Sequence, residues 1–300
     1  MVEAPAQLTI QPTEETLSHW IEHLVPELDV WYRDDSALDL DLSGCMVMPR
    51  ADYLKHPAFR DIRYVNAYLH WQMPSTVSRI IVSGPEWVTR LDNADRTTLL
   101  EHQVALKRGL VIPLSFLDAV PAVMRPYVTG DSVVLCKALW HGLPVPIQRT
   151  IVLREQRRWD DLQCHPVPAD LAAHIRAVAN TFGHEDGANC LGTTAFCVTG
   201  EAWMRDHWMY QAPFLDIITR NGYRPAPDVA PEPDDIVTFE VDGSVVHAAF
   251  CVGDDRFLNK NGQSRFNPIR IVDWATLSAD WASATCVTWR RHDPETGTTS

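Results

Sequence analysis

A thiol acts as a nucleophile when its site favours negative charge, a base lies beside it, and a third group orients that base. Cys190, His247 and Asn259 are ordered along this chain to meet those three demands. Cys190 follows Asn189 and precedes Leu191-Gly192, at the start of a run that can be helical. Unpaired N–H groups at a helix start favour a thiolate there. His247 lies inside VVHAAFCV, and Asn259 lies in FLNK after a Gly253-Asp254-Asp255 turn. An imidazole among valines and alanines needs a polar partner when buried, which the amide oxygen of Asn259 on the next strand can supply. Two plainer readings compete: Cys190 as a small buried hydrophobe, and His247 as a structural residue bonded to backbone.

The elements that must hold these residues can be read from periodicity. Leu171, Ile175, Val178 and Phe182 predict a helix over 168–182, stopped by Gly183. A loop of His184, Glu185, Asp186 and Gly187 follows, and Asn189 is the expected N-cap of a helix with Cys190 in its first turn. Gly192, Thr193, Thr194 and Ala195 are small enough for that helix to press closely onto a sheet. Cys197 reads as core. IVTFEV, Asp242-Gly243 and SVVHAAFCV form a hairpin signal, since Asp-Gly suits a type I′ turn. Strict alternation would put Val245, His247, Ala249 and Cys251 on one face. FLNK and an Asn261-Gly262 turn continue an antiparallel meander. His207, the competing base, sits in an aromatic-rich stretch best explained by packing.

Taken in order, these segments resemble the NlpC-type cysteine hydrolases, a papain-like group known as bacterial cell-wall endopeptidases and amidases. The family pattern opens its nucleophile helix with Asp-Cys-Ser-Gly. It continues with a Gly-Asp-Leu/Ile-Val strand, a His-Val/Ala-Gly/Ala strand and a third strand carrying a polar residue. The matching residues are Asn189-Cys190-Leu191-Gly192, Asp234-Asp235-Ile236-Val237, His247-Ala248-Ala249, and Asn259 ahead of Asn261-Gly262, within Leu171 to Val272. Asn189 and Leu191 stand where the family has Asp and Ser, and Asp234 where it has Gly. Cys precedes His, unlike the circularly permuted acyltransferase branch. The resemblance implies a papain-like domain with a nucleophile helix packed on an antiparallel sheet. It also implies Cys190 as nucleophile, His247 as base and Asn259 as its orienter. The oxyanion or substrate would be met by the backbone N–H of Cys190 with His184, Asn189 or Gly192. The implied activity is that of a cysteine peptidase or amidase, with acyl transfer in place of hydrolysis if an amine replaces water.

The rest of the chain sets bounds. Three hundred residues with 46% hydrophobic content and eleven Trp can fill two cores. A net charge of −13 argues against nucleic acid as partner. Arg149, Arg154, Arg157 and Arg158 read as one solvated strand or turn face. No run of about 18 apolar residues suggests a membrane span, and MVEAPAQLTIQPTEET lacks the basic start and apolar stretch of a secretory signal. Seven cysteines without a CxxC pair suit reduced thiols, so the expected location is cytoplasmic.

In the first half, Thr13 should cap a helix carrying Leu17, Trp20, Ile21 and Leu24, ended by Pro26. Strands are expected in SRIIVSG, LVIPLSF, Asp131 to Leu139 and Pro146 to Leu153, and a helix over Arg96 to Arg108. Asp39 to Ser43 opens like a calcium loop, but Arg50 occupies the position of the bidentate Glu. Alternating Leu and Asp there suit an exposed strand. Glu101-His102 lacks the second His of HExxH. Adjacent Cys164 and His165 point opposite ways on an extended segment, which does not suit a metal site.

The expected organisation is α+β: residues 1–160 as a mixed α/β domain, 161–292 as the papain-like domain, and 293–300 as a flexible tail. No cofactor and no metal is expected, and the partner is a small-molecule or peptide substrate. A binding or scaffold protein without turnover, and a metal enzyme drawing on some of the twelve His, are the other classes considered.

Overall fold

Short helices and antiparallel strands alternate along the chain, an α+β arrangement. The computed structural model describes residues 7–34, 40–59 and 73–292, so Asp39 and the expected tail at 293–300 lie outside the described residues. Two compact units are formed, residues 17–158 and residues 1–16 with 159–300. The expected division stood at 160. The N-terminal stretch groups with the second unit because strand β1 (Leu8–Thr9) pairs antiparallel with β8 (Gln163–Cys164).

Helix α1 (Glu14–His23), most of which belongs to residues 17–158, begins where Thr13 Oγ1 accepts the Thr16 N–H at 3.1 Å. Strands β2 (Asp29–Arg33), β3 (Met46–Pro49) and β4 (Arg79–Ser83) make an antiparallel sheet in the order β2-β4-β3. Helices α2 (Arg50–Lys55), α3 (Pro85–Arg90) and α4 (Asn93–Ala105) follow the strands. Buried Gln103 of α4 bonds both backbone groups of Tyr32 at 2.9 Å, fixing that helix to β2. A second sheet, β5-β7-β6, joins β5 (Leu110–Pro113), β6 (Val128–Thr129) and β7 (Ser132–Leu135).

Four expectations fail in this unit. Residues 146–153 are not a strand but lie in helix α6 (Val145–Gln156), after α5 (Lys137–Gly142) has cut short the strand expected to reach Leu139. Pro146 cannot donate to a sheet ladder but fits the first turn of a helix. Gln148, Ile151, Val152 and Gln156, all buried, recur at helical spacing. The arginines follow: Arg149 and Arg154 lie on α6 and Arg157-Arg158 just beyond it, not on a strand. Residues 40–45 form no strand either, because Asp41 Oδ1 accepts the Ser43 N–H at 2.9 Å and turns the chain.

The second unit is built on one six-stranded antiparallel sheet, ordered β13-β12-β11-β10-β14-β9. Its strands are β9 (Tyr223–Pro225), β10 (Ile236–Val241), β11 (Ser244–Gly253), β12 (Arg256–Lys260), β13 (Ile269–Asp273) and β14 (Thr285–Arg291). Helices α8 (Cys190–Thr199), α9 (Ala202–Asp206) and α10 (Gln211–Arg220) lie on one face, where Leu191, Ala195 and Phe214 pack with Ala248, Phe250 and Leu258. On the other face α11 (Trp274–Asp280) covers Phe239, Ala249, Cys251 and Phe257. The helix expected over 168–182 shrinks to α7 (Ala173–Val178). Asn180 adopts φ +60°, and its side chain bonds the His165 carbonyl (2.8 Å) and the Ile271 N–H (3.0 Å). That diverts the chain into a β-bridge between Thr181 and Ile269.

Candidate active site

The nucleophile helix starts as its sequence predicts. Asn189 Oδ1 accepts the Gly192 N–H at 3.0 Å, placing Cys190 in the first turn of α8. The same side chain reaches further. Its Oδ1 also accepts the Met209 N–H (3.2 Å), and its Nδ2 donates to the Met209 carbonyl (2.8 Å). Asn189 thus caps the helix and clamps the segment after α9 in one residue, and both its polar atoms are committed. An aspartate could cap but could not donate to Met209. Gly192 allows a close approach, though not onto the sheet: a Cβ there would lie 2.3 Å from the Met204 carbonyl and 3.0 Å from that of His207.

On β11 the alternation breaks at a bulge. Phe239 opposes His247 and Glu240 opposes Val245, so Val246 is the extra residue. A bulge shifts the residues before it by one. Val245 therefore packs with the core beneath α8, while Ala249 and Cys251 keep to the opposite face, correcting the expected single face. Pairing of β12 with β11 begins only at Phe250–Leu258. Where β12 leaves β11 unpaired, the backbone of Ala248 is a hydrogen-bond partner of the Cys190 thiol.

His247 is 2% exposed, and its Nε2 meets Asn259 Oδ1 at 2.7 Å. An amide oxygen only accepts, so Nε2 carries the proton and Nδ1 keeps its lone pair, the form a general base requires. The indole of Trp281 stacks on the imidazole with centroids 4.4 Å apart and planes 14° from parallel. The His–Asn bond is thereby shielded from water. Asn259 is 1% exposed, and its Nδ2 finds no partner among the described residues.

Cys190 and Leu191 from α8, His247 and Trp281 line one pocket of about 240 Å³, together with residues 208–211 and 261–263. Among the described residues no direct hydrogen bond joins Cys190 to His247. Both groups are neutral at rest. Burial pushes the Cys190 thiol up, against backbone hydrogen bonds at Ala248 and Leu191 and the charge of Lys260. Burial likewise pushes His247 down to about 4, with the Asn259 bond opposing.

Beneath the site lies a polar layer that the sequence reading missed. Lys260 is 3% exposed and donates to the carbonyls of Ser264 (3.2 Å) and Asn267 (2.6 Å). Its burial pushes it down to about 8, while Asp186, Asp160 and Cys190 pull it back up. Asp186 accepts from Arg265 at its backbone N–H (2.8 Å), Nε (3.1 Å) and Nη2 (2.9 Å). With the Gly187 N–H donated to the Gln263 carbonyl (2.8 Å), this ties the loop before Cys190 to the loop after Asn259.

The structure gathers Cys190, His247, Asn259 and Asn189 at this site. His184 is exposed on the preceding loop and does not line the pocket. The Gly192 N–H is spent on the cap. His207, also outside the pocket, bonds the Trp203 carbonyl at 2.8 Å. Cys164 is buried, and His165 faces Asp273 at 3.3 Å. Trp208, Tyr210, Trp281 and Lys260 went unassigned. The aromatic run around Trp208 and the Lys next to Asn259 were the available signals for three of them, whereas nothing local marks Trp281.

Compared with known proteins, the chain matches no family model, no curated protein and no solved structure.

Proposed function

We propose that this protein is a cysteine-dependent hydrolase or acyltransferase acting on an amide, with a papain-like second unit of the NlpC type. The observation that carries the reading is the Nε2–Oδ1 bond of His247 and Asn259 under Trp281, which leaves the Nδ1 lone pair uncommitted on a residue that shares a pocket with Cys190. In the proposed reaction the Cys190 sulfur attacks the substrate carbonyl while its proton passes to His247 Nδ1. The tetrahedral oxyanion is met by the backbone N–H of Cys190. As the C–N bond breaks, His247 returns the proton to the leaving amine, giving an acyl-thioester. Water, deprotonated by the same imidazole, then releases the acid and restores the thiol; an amine in its place gives acyl transfer. Seven free thiols support residence in a reducing compartment, and we assign the protein to the cytoplasm on that ground.

Intact-protein mass spectrometry with activated acyl esters tests this. A single acyl adduct should map to Cys190, vanish in Cys190→Ala, and form at least 100-fold more slowly in His247→Ala. Turnover that survives Cys190→Ala sinks the proposal.

A second reading has its own support: a raised thiol and a lowered imidazole describe a resting pair that is not an ion pair. A binding module that keeps this fold without turnover would have such a pair. It predicts that Cys190 labels no faster with iodoacetamide than the buried thiols, while ligand binding survives Cys190→Ala.

A further inference from the structure

The pocket beside Cys190 has a composition that the proposed chemistry does not require. Charged residues make up 22% of the chain, yet no Lys, Arg, Asp or Glu is among its lining residues. Its walls are the rings of Trp208, Tyr210 and Trp281 with Val246, and its polar groups are side-chain amides such as Asn261 and Gln263. Trp208 and Tyr210 meet edge to face, with centroids 6.3 Å apart, on the segment that Asn189 clamps. Trp281 lies flat on the neutral imidazole. Charged groups behind this lining are engaged: Asp280 accepts from the Asn261 amide at 3.2 Å, Asp186 pairs with Arg265, and Lys260 donates to two carbonyls.

A charged ligand group set among these rings would give up part of its water and meet no Lys, Arg, Asp or Glu in the lining. A flat apolar group would find ring faces and edges, while uncharged amides answer the amide bonds of a peptide or conjugate. The volume, about 240 Å³, is below the range of drug-sized ligand sites, about 300–1,000 Å³. It suits one ring and its linker.

We infer that the pocket selects an uncharged aromatic acyl group, so that the substrate is a neutral arylacyl or aromatic-residue amide rather than one whose acyl group bears a carboxylate or ammonium. The inference rests on the hydrolase reading for the word acyl, but the recognition can be measured without turnover.

The test compares phenylacetamide with its 4-carboxy and 4-aminomethyl derivatives. Binding to Cys190→Ser protein is followed by ligand-observed NMR. Phenylacetamide is expected to bind at least tenfold more tightly than either charged derivative. Val246→Lys, a change at the exposed rim, should narrow or reverse its lead over the carboxylate. Trp208→Ala should weaken binding of phenylacetamide. Charged derivatives within twofold of the neutral one, or no binding of phenylacetamide at millimolar concentration, overturn the inference. Wild-type acylation by the p-nitrophenyl ester of phenylacetic acid is scored separately. Selective binding without an adduct at Cys190 keeps the pocket and removes the hydrolase; an adduct formed equally from neutral and charged esters does the reverse.

Discussion

Each unit buries one lysine almost completely, and the two are accommodated differently. Lys137, at the start of α5, is 2% exposed and forms an ion pair with Glu27 at 2.8 Å, adding a bond to the Val25 carbonyl. Lys260, at the end of β12, is 3% exposed and has two carbonyls but no carboxylate within ion-pair distance among the described residues. The first lysine is a structural tie whose partner carries the opposite charge. The second holds a charge that its surroundings oppose, next to a thiol and an imidazole whose charged forms burial also opposes. Paired burial fastens a fold. Unpaired burial stores a titration, which is how groups at reactive sites come to titrate away from their ordinary range.

The contrast can be broken first at Lys137. Lys137→Ala empties the space of a buried four-carbon stem and orphans the Val25 carbonyl, so it should cost about 4 kcal/mol. Denaturant unfolding at neutral pH checks this, and a cost under about 1 kcal/mol would deny the tie. Next comes Lys260. Its folded value of about 8 is below its ordinary 10.5, so the unfolded chain binds more protons between those limits. The wild type should therefore gain roughly 3 kcal/mol over Lys260→Met as pH rises from about 8 to 10.5. Taking the difference from the variant removes the opposing titration of raised cysteines and tyrosines such as Tyr223. A pH-independent difference would deny that Lys260 titrates below its ordinary range.

His247 extends the same test to acid. Its folded value of about 4 against an ordinary 6.5 means that the unfolded chain binds more protons in that interval. Stability is lost as pH falls through it, by roughly 3 kcal/mol relative to His247→Gln. Asp29, raised by burial to about 6, works the other way by losing its contribution as pH rises. Only the difference between wild type and variant isolates the imidazole. Asn189→Asp should cost about 1–2 kcal/mol, because a carboxylate faces the Met209 carbonyl without a donor. The smallest effect is the reach of Lys260 to the thiol. Lys260→Met should move the pH midpoint of Cys190 alkylation upward by less than about one unit, since Lys260 is the last of the influences on that thiol and sheds most of its charge below the thiol's raised range.

What could be read from the residues was whatever local chemistry decides. The Asp242-Gly243 hairpin, the Asn189 cap and the His247–Asn259 order all depend on near neighbours or on adjacent strands. Competing signals, some local and some long-range, hid the rest. Ile147, Ile151 and Val152 look like a strand until Pro146 is weighed against a ladder. The helix after Pro168 stops early because Asn180 finds partners at His165 and Ile271. Trp281 could not be placed, since it sits in the turn after α11 and its role depends on a ring 4.4 Å away on β11. The bulge at Val246 has no Gly or Pro to announce it, yet it decides which face Val245 joins.

The clamp made by Asn189 has a consequence for how such a protein can change over generations. One side chain fixes both the helix that presents the thiol and the segment that carries Trp208 and Tyr210. A substitution there moves reactivity and recognition together, so selection acting on one drags the other with it. The separable positions are the rings themselves and the rim at Val246, which can be exchanged while the clamp stays. Divergence of substrate range should therefore accumulate at those few side chains, with Asn189 as the position that drifts last.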